Sequence, residues 1–151
     1  MKKLDLDTGV QQYEIGKAVV EFNPTDGFFL ERVNNALEKI NGFQNKYEGQ
    51  VNAIQAAQND ENELEATQKM FKVSREIDQD MRKVIDDLFN KEGVSYEIFG
   101  ETSLFALAKN GLPVSINLLI AVGDEINDCI EEAKKAQDSE KMQEYLGKYK
   151  K

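Results

Sequence analysis

Glu125, Asp128 and Glu132 are spaced i, i+3 and i+7 within a stretch of helical periodicity, which puts their carboxylates on one helix face. Three acids so placed can hold Mg²⁺ or Mn²⁺ together with a diphosphate, and the chemistry would be metal-assisted hydrolysis of a phosphoanhydride. Glu61, Glu63 and Glu65 are acids that could face them from a second helix. The composition argues the other way. With 28 acidic residues in 151, such spacings arise freely on solvated faces, and a phosphate site also needs Lys or Arg turned toward the phosphates. The expectation is a solvated acidic face with no metal, no cofactor and no catalytic residue. Cys129 sits between Asp128 and Ile130 with no evident base, which reads as a packed core thiol and not a nucleophile.

Other chemistry is excluded by composition. The chain has no histidine and one cysteine, so it can build neither a His/Cys zinc site, nor a histidine-based triad, nor an internal disulfide. Asn59-Asp60-Glu61-Asn62 lacks the glycine and the closing glutamate of an EF-hand loop, and Gly9, Gly16 and Gly27 do not form a phosphate loop. A net charge of −9 and a pI near 4.6 repel phosphate backbones, so nucleic acid is not an expected partner. The apolar run around Leu118 is about a dozen residues, short of the ~20 that a bilayer needs. Met1-Lys2-Lys3 leads into alternating Leu4-Asp5-Leu6-Asp7 and not into an apolar signal core, so a cytoplasmic protein without membrane contact is expected.

The elements that would carry these residues follow from periodicity. Residues 114–122 include Val114, Ile116, Leu118, Leu119, Ile120, Ala121 and Val122, apolar around nearly the whole helix circumference, which predicts a buried central helix started by Pro113. Its later part keeps Ile126 and Ile130 apolar while acids project outward, and it should fade near Ala136. Residues 3–7 alternate with period two, Thr8-Gly9 supplies a turn, and residues 13–22 are rich in β-formers, which together predict an N-terminal β-hairpin over 1–23. A helix from about residue 26 to 58 carries Phe29, Val33, Ala36, Ile40, Phe43, Tyr47 and Ile54. At ~50 Å such a helix is longer than a domain of this size is wide, so it needs a partner. The second stripe supplies one: Met70, Val73, Ile77, Met81, Val84 and Leu88, after a polar break at 59–62 and before Gly93. This predicts a long antiparallel helical hairpin over 24–93, with one uninterrupted helix as the alternative. Short helical turns are expected over 95–110, capped at Asn110-Gly111. A last helix is expected after Asp138 or Ser139, closed by Gly147. The whole is a single, mainly α domain over 1–151 with a minor β-hairpin.

Phe99-Gly100-Glu101, Ser103-Leu104-Phe105, Gly111-Leu112-Pro113 and Asn117-Leu118-Leu119-Ile120-Ala121 resemble the central segment of a family of small phage and prophage proteins of Gram-positive bacteria. The resemblance implies a helical, acidic protein encoded among tail-morphogenesis genes, chaperone-like in tail assembly and without an assigned catalytic residue. A non-enzymatic module that binds phage tail proteins is therefore expected. The partner-binding residues would be Phe28, Phe29, Val33, Ile40, Phe43 and Tyr47, because adjacent Phe28 and Phe29 cannot both face one core line. A homo-oligomer is expected through that stripe or through the 13–22 strand. Two alternatives stand beside it. Glu125-Ile126-Asn127-Asp128 with Glu61, Glu63 and Glu65 resembles the acidic helices of all-α nucleotide pyrophosphohydrolases. An acidic decoy imitating DNA would need continuous negative charge, and here 19 basic residues are interleaved.

Overall fold

Residues 11–22 alternate in polarity but contain Gly16-Lys17 in their middle, and there the chain reverses. In the computed structural model, which describes residues 1–57 and 63–149, β1 (Gln11–Ile15) and β2 (Ala18–Phe22) pair antiparallel, with Tyr13 opposite Val20 and Ile15 opposite Ala18. Gly16 has φ +61°, and a Cβ there would lie 2.9 Å from the Ile98 carbonyl oxygen, so both the turn and the packing require glycine. This corrects the expected positions. Both strands fall within 11–22, Thr8-Gly9 joins no strands, and residues 3–7 form no strand. A two-residue glycine turn simply outcompetes the longer one. Ala18, Val20 and Phe22 form the buried face of β2, and Phe22 stacks between Tyr13 and Phe29 at centroid distances of 4.3 and 4.2 Å.

Asn23 and Asp26 turn the strand into a helix. Asn23 Oδ1 accepts from Thr25 N, and Asp26 Oδ1 accepts from Phe28 N at 3.0 Å, capping α1 (Gly27–Ala56). The helix α2 (Glu63–Phe89) returns beside it. Arg32 near the start of α1 donates to the Leu88 carbonyl near the end of α2 at 3.2 Å, and Ser74 Oγ donates to Tyr47 Oη midway, so the pair is antiparallel. The hairpin reading holds. The polar break expected at 59–62 lies outside the described residues.

The core is centred on α2 and not on the 114–122 stretch. Ile77, Met81, Ile85 and Leu88 are at most 2% exposed and meet Phe29, Ile40, Val94 and Leu104. Burying four such side chains contributes roughly 6–12 kcal/mol of gross stabilisation. The helix α4 (Val114–Gln137) buries one stripe, Ser115, Leu118, Leu119, Val122, Ile126 and Cys129, while Ile120 stays 46% exposed and Ala121 is exposed. Its expected all-round enclosure is corrected: α4 lies on the outside of the helical hairpin, where one side has neighbours and the other has water.

A polar line on α2 ties the rest to it. Asp78 Oδ1 accepts from Leu104 N at 2.7 Å and Oδ2 from Arg82 Nε at 2.8 Å, while Arg82 Nη2 donates to the Thr102 carbonyl at 2.8 Å. The guanidinium, 3% exposed, also lies 4.1 Å from the centroid of the Tyr96 ring. One turn on, Asp86 accepts from Gly93 N and Ser95 N, the first residues around α3 (Val94–Phe99). Leu104 in turn accepts from Ser115 Oγ at 2.8 Å, which seats the start of α4. Only α3 is helical in the 95–110 segment. Asn110-Gly111 caps no helix but forms the tip of a loop closed by Ala108 N donating to the Leu112 carbonyl and by the Leu107–Pro113 bridge. Ser139 Oγ accepts from Met142 N at the start of α5 (Glu140–Tyr149), and Gly147 lies inside that helix instead of closing it.

Two stability outcomes follow. Ile85→Ala is expected to cost ~2–5 kcal/mol in urea denaturation and Ile120→Ala under ~1 kcal/mol, and equal costs would refute the α2-centred core. Asp78→Ala, which leaves a buried guanidinium without its carboxylate, is expected to cost ~3–5 kcal/mol, more than Asp78→Ala with Arg82→Met together.

Candidate functional site

The narrow β-sheet leaves a groove where it crosses α4. Tyr13, Glu14, Ile15 and Phe22 on the sheet side and Leu118, Ala121, Val122 and Glu125 on α4 line a cavity of about 140 Å³. Its walls are largely apolar, and it is smaller than the ~300 Å³ at which small-molecule sites usually begin. At one end a chain of polar contacts closes it: Tyr13 Oη donates to Gln11 Oε1 at 3.3 Å, Gln11 Nε2 reaches Cys129 Sγ at 3.9 Å, and the thiol donates to Glu125 Oε1 at 3.0 Å.

These contacts decide what Glu125 and Cys129 can do. The hydrogen bond to Glu125 is the first cause that pushes the Cys129 thiol up from its ordinary 9.0, with burial and the Glu125 charge adding to it. Burial, and then the charge of Glu125, push the Tyr13 phenol up to about 12. A thiol held protonated by a carboxylate is a poor nucleophile, in keeping with the packed-thiol expectation.

The sequence-derived acidic face is only partly assembled. Asp128 and Glu132 are exposed on α4, whereas Glu125 turns inward to the thiol. Glu63 and Glu65 occupy the first turn of α2, and Glu61 lies outside the described residues. Phe22 lines the Glu125 groove and stands 6.1 Å from Phe89 at the opposite end of α2. The first turn of α2 is therefore roughly 39 Å along the helix from that groove. Among the described residues no group of three or more His, Cys, Asp or Glu side chains converges as a metal site.

The expected partner-binding stripe is mostly internal. Phe29 is 1% exposed and Ile40 fully buried, and Val33, Phe43 and Tyr47 are half-buried against the same core, Tyr47 stacking on Phe105 at 5.4 Å. The stripe is the seam with α2 and the Phe105 loop, not a face offered outward. Phe28 differs: at 75% exposure it projects from the first turn of α1. Sequence reasoning had missed the Asp78–Arg82 pair, although an acid and an arginine at i, i+4 beside the apolar stripe of α2 is a readable sign of a partly buried ion pair. The Tyr13–Cys129 neighbourhood joins residues too distant in the chain for any local pattern to reveal.

No protein-family model, curated protein or solved structure matches the chain.

Both raised groups bind their protons more tightly in the folded state. Stability from them is thus complete below the ordinary thiol value of 9.0 and declines as pH rises through it, continuing toward the Tyr13 value of about 12. Urea midpoints are expected to fall across that range, and to fall less in Tyr13→Phe. Native Cys129 is expected to resist iodoacetamide at neutral pH and to react once unfolded. Rapid alkylation of the folded chain would show the thiol to be open.

Proposed function

We propose that the chain is a non-enzymatic, protein-binding accessory of phage or prophage tail assembly, chaperone-like and self-associating, and that it acts in the bacterial cytoplasm. The observation that carries the binding part is where the apolar surface lies. Phe28, Phe71 and Leu107 are 75%, 60% and 69% exposed, and Leu4 and Leu6 are 86% and 81% exposed. Large apolar side chains left in water at several places favour contacts with other polypeptides. The tail-assembly part rests on the resemblance carried by Phe99-Gly100-Glu101 and Gly111-Leu112-Pro113. The fold gives that segment a concrete role, since these residues bound the loop that Arg82 and Asp78 hold and that leads into α4.

The acidic surface fits the same reading. At −9, the chain attracts basic protein faces and repels nucleic acid, whose binding depends on Lys and Arg displacing counterions from the phosphates. No helix is long and apolar enough to cross a membrane among the described residues.

Light scattering at tens of micromolar is expected to give a mass above one chain, and nucleoside triphosphates with Mg²⁺ or Mn²⁺ are expected to release no pyrophosphate. The genes flanking the coding sequence are expected to encode tail components. A strict monomer would remove the self-association part, and metal-dependent turnover abolished by Asp128→Asn would replace the proposal with the pyrophosphohydrolase reading.

A further inference from the structure

The far end of the helical hairpin leaves its apolar seam uncovered. Phe105 stacks on Tyr47 about midway along the pair, and from Ile77 onward α2 is buried turn after turn. Beyond Tyr47 the burial stops. Residues 48–57 and 63–76 carry Val51, Ile54, Met70 and Val73, yet among the described residues of this end Ala66 alone is buried. About 12 Å of α1, from Glu48 to Ala56, therefore runs with its apolar side chains half-covered. Two helices alone cannot enclose the seam between them; a further layer is needed.

That seam is open as a groove of about 370 Å³, whose lining includes Gln50, Ala53 and Ile54 of α1 and Lys72, Val73 and Glu76 of α2. Its volume would admit a small molecule, but such sites hold their ligand with polar groups that converge, and Lys72 and Glu76 are exposed at the surface. A furrow between two helices is instead shaped for the side-chain ridge of another helix. The charges beside it say which helix. Lys72 and Glu76 are four residues apart on one helix, so an antiparallel copy of that helix presents them in reverse order.

We infer that two copies dock these ends groove to groove, α2 of one lying antiparallel to α2 of the other about a two-fold axis level with Ser74. The inference rests on the self-association proposed above and specifies its surface. Two helices from each copy then form a four-helix bundle, a closed isologous contact in which Ile54 and Val73 of both copies share one apolar seam. Charge selects the register. With the axis at that level, Lys72 stands opposite the partner's Glu76, and Glu76 opposite the partner's Lys72. Sliding one copy by a helical turn sets Glu76 against Glu76 in one direction and Lys72 against Lys72 in the other, like charges at the centre of the contact. The other two-fold arrangement, α1 of one copy on α2 of the next, would set both charges against the uncharged Gln50, Ala53 and Ile54.

The test uses the full chain in sedimentation and light scattering, with circular dichroism to confirm folding. The expected result is a dimer. Lys72→Glu and Glu76→Lys, both at exposed positions, should each raise its dissociation constant about tenfold, since each turns two attractive pairs into two repulsive ones, and the double reversal should restore it. Ala53→Arg, also at an exposed position, should fill the groove and give a folded monomer, while Phe28→Ser at the other end of α1 should leave the dimer intact. A double reversal no tighter than the single ones would overturn the antiparallel pairing. A dimer indifferent to all of the groove substitutions would overturn this contact and leave self-association standing. A monomeric wild-type chain would overturn both.

Discussion

The polar line Asp78–Arg82–Asp86 on α2 is the constraint on which the second half of the fold depends. Its apolar neighbours Ile77, Met81 and Ile85 hold α2 to α1 and would do so in any helical hairpin. The polar line does something they cannot: it fixes backbone amides and carbonyls of residues 93–104, a segment with one short helix. Burying Arg82 is unfavourable unless its charge is met, and here a carboxylate, a carbonyl and an aromatic face meet it. Because Leu104 sits between this clamp and Ser115, the placement of α4 depends on an ion pair on another helix.

That dependence explains how much of the molecule was legible in the sequence. The helices α1, α2 and α4 could be read because each carries a 3–4 apolar period over many turns, and so could the antiparallel return of α2, since α1 alone is too long for the domain. The β-hairpin was legible as an element but not in position. Residues 13–22 look like one strand until Gly16 is recognised as a turn residue, and the decisive fact, the nearness of the Ile98 carbonyl, is a tertiary one. The enclosure of 114–122 was misjudged for a related reason. Apolar content measures what a helix could bury, while burial is set by what lies beside it, and Ile120 is left 46% exposed.

The candidate site was less legible still. Spacing put Glu125, Asp128 and Glu132 on one face, and they are on one helix, but the rotation of that helix sets Glu125, with Cys129 one turn on, toward the sheet and leaves Asp128 and Glu132 in water. A rotation of this kind depends on neighbours and leaves no trace in local sequence. The stripe from Phe29 to Tyr47 shows the converse: its periodicity was read correctly, and it serves the fold. An apolar stripe on a helix cannot say whether its complement lies in the same chain, and here α2 supplies it.

Charge sets where association of such a chain can occur. Two copies at −9 repel as they approach, but at physiological salt that repulsion is screened beyond about 8 Å, so local surface decides whether contact holds. On α4 the exposed acids Asp124, Asp128, Glu131 and Glu132 oppose close approach. Residues 2–7 are different, since Lys2 and Lys3 offset Asp5 and Asp7 and the exposed Leu4 and Leu6 are not shared with the core. A residue that stabilises the monomer cannot be moved into an interface without loss; Phe29 and Ile40 are of that kind, whereas Leu4 and Leu6 contribute nothing to the core and remain free to contribute to contact between chains.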